Sequence, residues 1–304
     1  MSEPFGHLIP AARKALALPI NERIAYMQKD RWIKYQRAEA ILHMMERIFR
    51  QPPSTRPPCL MVFGAPNNGK THLIRKFHKD HPPIDDPEDG KVKVPVLLIE
   101  DLNGPDERRL YNSIIQTLGF PNKPNDPIAK LEYKAHRILI HYEVKVLVID
   151  EFNTFVGGSP VKQRQILDTL KTLSTRRKIS IIGAGTAAAF SLMQLDTQFS
   201  SRFTPAPLPA WEMDIAWRTL LASFERVIPL SEPSGLSEPR FAQRLLAESD
   251  ATIGDAWDLL ELMAVHAIEN GASRLHIDMI AKVGWIKPSE RVRYAQATMS
   301  RVGL

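Results

Sequence analysis

One cysteine, Cys59, is all that 304 residues contain, so no intramolecular disulfide can form and the disulfide scaffolds of small secreted domains are excluded. The nine histidines are scattered, and no Cys/His spacing has the form of a zinc site. No apolar run approaches the roughly 20 residues that a bilayer-spanning helix needs. The opening residues Met1-Ser2-Glu3-Pro4-Phe5-Gly6-His7 lack the basic and apolar blocks of a signal peptide. Internal repeats and low-complexity tracts are missing as well. These absences lead to the expectation of a cytoplasmic protein with no membrane partner.

What is present is the profile of a globular chain, with 44% hydrophobic and 24% charged residues. Its length supports a sizeable core and more than one domain. The formal charge of +6 is concentrated at the ends. The first sixty residues hold ten Lys and Arg against five acids, and residues 287–304 hold four against one. That balance is compatible with nucleic acid without requiring it.

The most specific signal is Gly64-Ala65-Pro66-Asn67-Asn68-Gly69-Lys70-Thr71, a complete G-x-x-x-x-G-K-[ST] loop. It follows the apolar run Cys59–Phe63 and leads into residues 71–77, which have helical spacing. Strand, glycine-rich turn and helix in that order aim backbone N–H groups at a phosphate at the positive end of a helix dipole. Lys70 is then expected on the β- and γ-phosphates of a nucleoside triphosphate, and Thr71 on Mg²⁺. A second signal lies at Val146-Leu147-Val148-Ile149-Asp150-Glu151, an apolar strand ending in two carboxylates. Ligands of open parallel sheets bind beyond the carboxyl ends of the strands. Asp150 is expected on Mg²⁺, partly through water, and Glu151 as the general base for the attacking water.

Around these motifs the pattern alternates. Short continuous Val/Ile/Leu runs at 94–99, 144–149 and 179–182 read as parallel strands covered on both faces. Helical patterns at 106–118, 128–142 and 161–174 lie between them. The order is that of an α/β parallel sheet wrapped by helices. Pro- and Asp-rich surface loops are expected at 80–91 and 121–127. A helix is expected from about Ile20 to Phe49, with Asn21 as a cap and a break near Asp30. After Pro205-Ala206-Pro207-Leu208-Pro209 the strands are expected to stop, leaving helices at 211–227, 239–248, 253–270 and 276–283. The resulting division is an N-terminal helical segment and linker (1–58), a nucleotide-binding domain (59–209), a helical lid (210–286) and a flexible basic tail (287–304).

Two further residues have open readings. Thr186, after Gly183-Ala184-Gly185, is either a hydroxyl beside the γ-phosphate or part of a simple glycine-rich turn. Arg202, in Ser200-Ser201-Arg202-Phe203, either reaches a neighbouring subunit's γ-phosphate or makes a surface ion pair.

These parts in this order resemble an AAA+ P-loop ATPase, and more narrowly the TniB family of transposition ATPases, related to TnsC and MuB. The resemblance is carried by Asp30-Arg31-Trp32-Ile33-Lys34-Tyr35, the Asn67-Asn68-Gly69-Lys70-Thr71 form of the loop, Ile149-Asp150-Glu151-Phe152, Gly183–Thr186 and Ser201-Arg202-Phe203. It implies that Thr186 is a sensor, that Arg202 is an arginine finger, and that Trp32 and Tyr35 help line an adenine pocket. It also implies homo-oligomers, as a filament or ring, on double-stranded DNA, with a DDE-type transposase as partner. By the same resemblance, Arg108, Arg109 and Lys123 become the first candidates for DNA phosphate contact, against the plainer reading of solvated charges. One departure is Trp257 in the lid, where related initiator ATPases carry an arginine; hydrolysis is then expected to be slow or partner-stimulated. Two alternatives remain, a replication-initiator or helicase-loader ATPase and a weakly hydrolysing, nucleotide-gated scaffold.

Overall fold

The computed structural model describes residues 5–86, 90–100, 102, 104–123 and 125–302. Parts of the expected loops at 80–91 and 121–127, and the first four residues of the segment compared with a signal peptide, lie outside the described residues. The chain forms two compact units, one of residues 37–209 and one that joins 1–36 with 210–304.

In chain order the elements begin with α1 (Pro10–Leu16), α2 (Ile20–Met27) and α3 (Gln36–Phe49). The α/β unit continues with β1 (Cys59–Gly64), α4 (Lys70–Asp80), the short hairpin β2 (Ile84–Asp86) and β3 (Lys91–Lys93), and β4 (Val96–Ile99). Then come α5 (Glu107–Thr117), α6 (Ile128–His141), β5 (Val146–Ile149), α7 (Pro160–Arg177), β6 (Ser180–Gly185), α8 (Ala187–Met193), α9 (Thr197–Ser200) and β7 (Phe203–Leu208). A 3-10 turn, Phe152–Phe155, follows β5.

The five long strands form one parallel sheet in the order β4-β5-β6-β1-β7. Side chains alternate between its faces. Met61, Leu97, Ile99, Leu147, Ile149 and Ile181 join a buried cluster with α5, α6 and α7. Leu60, Val62, Val148 and Ile182 are buried from the other side, where α4 packs on β1, β4 and β6. Phe49 of α3 meets Phe77 of α4 edge-on at 6.4 Å. Burial on both faces explains why these strands read as continuous rather than alternating apolar runs.

Among the described residues the strands do stop after the proline-rich stretch, as expected, but one strand not foreseen forms the sheet's edge. The proline-rich stretch expected to end the strands is itself β7, in register with β1 from Cys59↔Phe203 to Gly64↔Leu208. With one neighbour only, alternate N–H groups of β7 have no ladder partner, and Pro205 and Pro207 occupy alternate positions. Proline lacks that N–H, so an edge strand accepts it.

In the second unit, α2 ends well before α3 begins. The helical stretch expected from Ile20 is broken over 28–35, around the break expected near Asp30, and Pro19 rather than Asn21 stands at the N-cap of α2. Arg31 explains the break, because its guanidinium donates to the carbonyls of Tyr26, Lys29 (3.3 Å) and Val227 (3.4 Å). The bonds to Tyr26 and Lys29 satisfy acceptors that a continuing α2 would have used. The unit is completed by α10 (Ile215–Glu225), α11 (Pro239–Glu248), α12 (Ile253–Glu269) and α13 (Arg291–Val302), with 3-10 turns at Ile277–Ala281 and Pro288–Glu290. Its core holds Met27, Trp211, Trp217, Leu220, Phe224, Leu259 and Met263. Trp217 is fully buried and its Nε1 donates to the carbonyl of Ala242 at 3.0 Å.

The tail beyond Trp285, expected as flexible, forms α13. Its start is tied down by nonlocal acids: Arg291 donates to Asp255 at 2.9 Å, while Lys287 and the Ser289 N–H meet Asp250 at 3.0 and 2.6 Å. Among the described residues no helix is long and apolar enough to cross a membrane.

Candidate nucleotide site

β1 is buried between β6 and β7 and delivers the chain to Gly64 at the carboxyl edge of the sheet. A β-carbon on Gly64 would lie 2.3 Å from the carbonyl oxygen of Leu208. Only a glycine lets the loop start this close to β7. Asn67 (φ 52°) and Gly69 (φ 83°) then adopt left-handed backbone angles, which turn successive N–H groups inward as in anion-binding nests. Asn68 is buried, and its Nδ2 donates to the carbonyls of Leu208 and Pro209, each at 2.9 Å. Its side chain therefore pins the loop to the end of β7.

Gly69 caps α4 without a side-chain bond, leaving the first N–H groups of that helix available. Lys70, 8% exposed, bends back so that Nζ donates to the carbonyls of Gly64 (3.2 Å) and Ala65 (2.7 Å). Burial lowers the pKa of Lys70, with the charges of Glu151 and Asp150 opposing the shift. The ammonium is thus held at the loop mouth on weak neutral acceptors, where a phosphate would be a better partner.

Thr71 Oγ1 donates to Asp150 Oδ2 at 2.8 Å and joins the loop to the end of β5. Asp150 is 4% exposed. Desolvation raises its pKa, against the hydrogen bonds from Thr71 and the Glu151 N–H; the charges of Glu151 and Glu100 add to the rise. A hydroxyl and a buried carboxylate side by side are the oxygen donors that Mg²⁺ takes. Glu151 follows with φ 47° and its exposed carboxylate accepts from Asn153 Nδ2 at 2.9 Å. The residues present therefore fit a magnesium-bound polyphosphate, and the sequence-predicted set from Gly64 to Thr71 is brought together with Asp150 and Glu151.

Thr186 follows β6 at the N-cap of α8, and its hydroxyl makes no capping bond. β6 lies between β1 and β5, so its end is adjacent to both motifs. Arg202 stands at the opposite, amino edge: its carbonyl accepts from the Cys59 N–H at 2.9 Å, where β1 begins. Five residue steps of β1 separate that point from Gly64, roughly 16 Å at strand rise, which is longer than an arginine side chain. Arg202 cannot reach the loop of its own copy. Its Nη1 donates to the Thr175 hydroxyl at 3.0 Å, and its Nε is buried with no hydrogen-bond partner among the described residues.

The basic residues flanking these motifs are mostly engaged. Arg108 donates to the Asp126 carbonyl, while Arg109 and Lys123 are exposed. Lys171 meets Asp196 at 3.1 Å, Arg176 meets Glu132 at 3.7 Å and Arg177 bonds His136. In the helical unit Tyr35 packs edge-on against Trp211 at 5.3 Å. Trp257 packs on Phe224 at 5.1 Å, with the Arg31 guanidinium 5.8 Å from its ring centroid.

Two groups at the site were not anticipated. Glu100, at the end of β4, is bound by Arg75 at 2.5 Å. Its signal was the strand-end acid after Ile99, which repeats the pattern of Ile149-Asp150. Asn153 had only its position two residues past Glu151 to mark it.

A family model described as "Bacterial TniB protein" matches residues 23–213. No curated protein sequence matches the chain. Among solved structures, ORC1 of Aeropyrum pernix, determined in complex with DNA, is similar at TM-score 0.60 and 16% identity over 86% of this chain and 68% of that one. ORC2 of the same organism, in an ADP form, gives 0.58 and 18% over 85% and 71%. A Walker-type ATPase of Pyrococcus abyssi gives 0.54 and 12% over 88% and 76%. At these identities the likeness concerns the fold, a parallel sheet with helices of the AAA+ kind.

Proposed function

The chain belongs to the TniB family, and on that premise we propose that it is an ATP-dependent, sequence-nonspecific DNA-binding regulator of DNA transposition. In this reading it assembles on target DNA and recruits or activates a DDE-type transposase. The observation that carries the nucleotide part is the 2.8 Å bond from Thr71 to Asp150, which locks the phosphate loop to a strand-end acid.

Residues 64–69 hold the phosphates through backbone N–H groups, and Lys70 leaves the loop carbonyls to pair with them. Thr71 and Asp150 hold Mg²⁺, which when bound supplies positive charge against the phosphate oxygens. Glu151 takes the proton of the attacking water. Thr186 reports the state of the site from the neighbouring strand, and Tyr35 contributes to adenine recognition. Arg202 acts on the site of the next copy, because it stands at the far edge of its own sheet. A head-to-tail contact of this kind builds rings or open filaments.

Arg109 and Lys123, with Arg108 beside them, contact DNA phosphates, so binding should weaken steeply with salt and ignore sequence. The Aeropyrum pernix ORC1 neighbour was solved in complex with DNA, which supports that part of the reading. Trp257 favours a variant of it, a slow ATPase that acts mainly as a nucleotide-gated scaffold, since an indole supplies no cation.

The test compares ATP turnover and ATP-dependent DNA binding, with and without duplex DNA, in the natural chain and in Glu151→Gln. DNA-stimulated turnover that disappears in Glu151→Gln, with DNA binding retained, supports the switch. Background turnover in both chains with ATP-dependent DNA binding intact supports the scaffold. Absence of ATP-dependent DNA binding contradicts both.

A further inference from the structure

Glu151 is the residue of the site whose carboxylate is least constrained by its own surroundings. It is exposed, and it follows Asp150 in a left-handed backbone conformation, φ 47° and ψ 45°. The turn after it is closed by other atoms: the Glu151 carbonyl accepts from the Thr154 N–H at 2.8 Å and from Thr154 Oγ1 at 2.5 Å, and the Asn153 carbonyl accepts from the Val156 N–H at 2.9 Å. The side-chain amide of Asn153 is therefore not needed to form the turn. It is aimed instead at Glu151, with Nδ2 donating to Oε2 at 2.9 Å.

The other end of that amide is the unusual feature. Asn153 Oδ1 is buried with no hydrogen-bond partner among the described residues. A buried acceptor without a donor costs stability. Rotating the amide would offer Oδ1 to the carboxylate and place two acceptors together, so an ionised Glu151 keeps the amide nitrogen on its own side. The Asn153 side chain also has a wall behind it. A β-carbon on Gly185 would come within 3.3 Å of Asn153 Oδ1 and within 2.9 Å of the Ala189 β-carbon. The lack of a β-carbon at Gly185, directly before Thr186, thus keeps the space beside the amide clear. Local stability is given up at one atom so that another atom of the same group can hold a carboxylate, a pattern found at functional sites.

We propose that Asn153 is a positioning residue: it clamps the Glu151 carboxylate through Nδ2, with its Oδ1 beside the space that the missing β-carbon of Gly185 leaves open. The clamp sets where the acceptor of the water proton lies, and it ties that placement to the turn that carries Thr186. This deepens the proposed hydrolytic reading and rests on Glu151 acting as the base.

The test uses the full chain with Asn153→Ala and the isosteric Asn153→Asp, which replaces the donor by a repelling carboxylate. The expected result is a kcat for ATP lowered at least tenfold in both, and further in Asn153→Asp, because small displacements of a catalytic group are costly. The Kd for a fluorescent ATP analogue should stay within twofold. A separate measurement needs no turnover: the Asn153 side-chain amide resonance of the nucleotide-free protein, identified by its loss in Asn153→Asp, should shift in Glu151→Gln. An unchanged kcat in the Asn153 variants, a parallel loss of analogue binding, or an amide resonance indifferent to Glu151→Gln overturns the inference. Where Glu151→Gln abolishes turnover and Asn153→Ala leaves kcat unchanged, the inference fails alone. Full turnover in Glu151→Gln, or none in the natural chain, removes the hydrolytic reading and this inference with it.

Discussion

The two edges of the central sheet are built in opposite ways. At the carboxyl edge, Lys70 and Asp150 are withdrawn from water, Lys70 on neutral carbonyls and Asp150 on the Thr71 hydroxyl and the Glu151 N–H. Lys70 and Asp150 are buried with pKa values pushed toward their neutral forms by desolvation, and Asn67 and Glu151 hold left-handed backbone angles. At the amino edge, Arg202 is partly buried and rests on a neutral hydroxyl, while Arg176 is exposed and meets an acid. The contrast teaches where each edge finds its complement. In the proposed reading a polyphosphate and a cation complete the carboxyl edge, whose loop and acids come from one copy. At the amino edge Arg202 is held by one neutral hydroxyl, with its Nε buried and unpartnered among the described residues, so in the proposed reading a stronger partner on a neighbour takes it over.

The sharpest way to break this comparison is to remove one residue from each edge. Arg202→Ala is expected to lower DNA-stimulated turnover by about 10³-fold, the scale of arginine fingers, with the Kd for a nucleotide analogue unchanged within twofold. Lys70→Ala should instead weaken analogue binding on the order of 100-fold, as expected for lost charge-assisted bonds to phosphate. Should Arg202→Ala lose binding and Lys70→Ala keep it, the two edges have been assigned the wrong way round.

Electrostatics sharpens the comparison further. Because burial raises the Asp150 pKa, the nucleotide-free chain is most stable with that carboxyl protonated. Its stability falls as pH rises from the ordinary carboxylate range through the raised value. Asp150→Asn should therefore raise the unfolding midpoint at pH 7, without magnesium or nucleotide, by about 3 °C, the scale of roughly 1 kcal/mol in a chain of this size. The gain should vanish below the ordinary carboxylate range. A smaller effect is expected at the amino edge, where burial pushes the Cys59 thiol up to about 11. Alkylation at pH 8 should be negligible in the folded chain and complete in denaturant.

Much of the carboxyl edge was legible in the sequence because its parts are local strings in a readable context. The Gly64–Thr71 loop sits between an apolar run and a helical pattern, and Asp150-Glu151 ends a Val/Ile/Leu run. The parallel sheet was legible for the same reason. What escaped depends on contacts between distant residues. β7 was hidden by Pro205 and Pro207, which are tolerated only because the strand lies at an edge. The helix over 291–302 depends on Asp250 and Asp255, some forty residues earlier in the chain. Asn153 acquires its role from the turn at Glu151 and the backbone of Gly185, and neither is visible in the spacing of residues. Thr175 as the resting partner of Arg202 likewise comes from packing between α7 and the start of β7.

The central claim is that each working site takes Lys70 from one copy and Arg202 from the next, and mixing tests it most directly. Equal amounts of Lys70→Ala and Arg202→Ala chains, each inactive alone, are combined on duplex DNA with ATP and magnesium. The account predicts that turnover returns to about one quarter of the natural rate, because random head-to-tail pairing reunites the two intact residues at a quarter of the interfaces. Mixed assemblies that form on the DNA and stay inactive would contradict it.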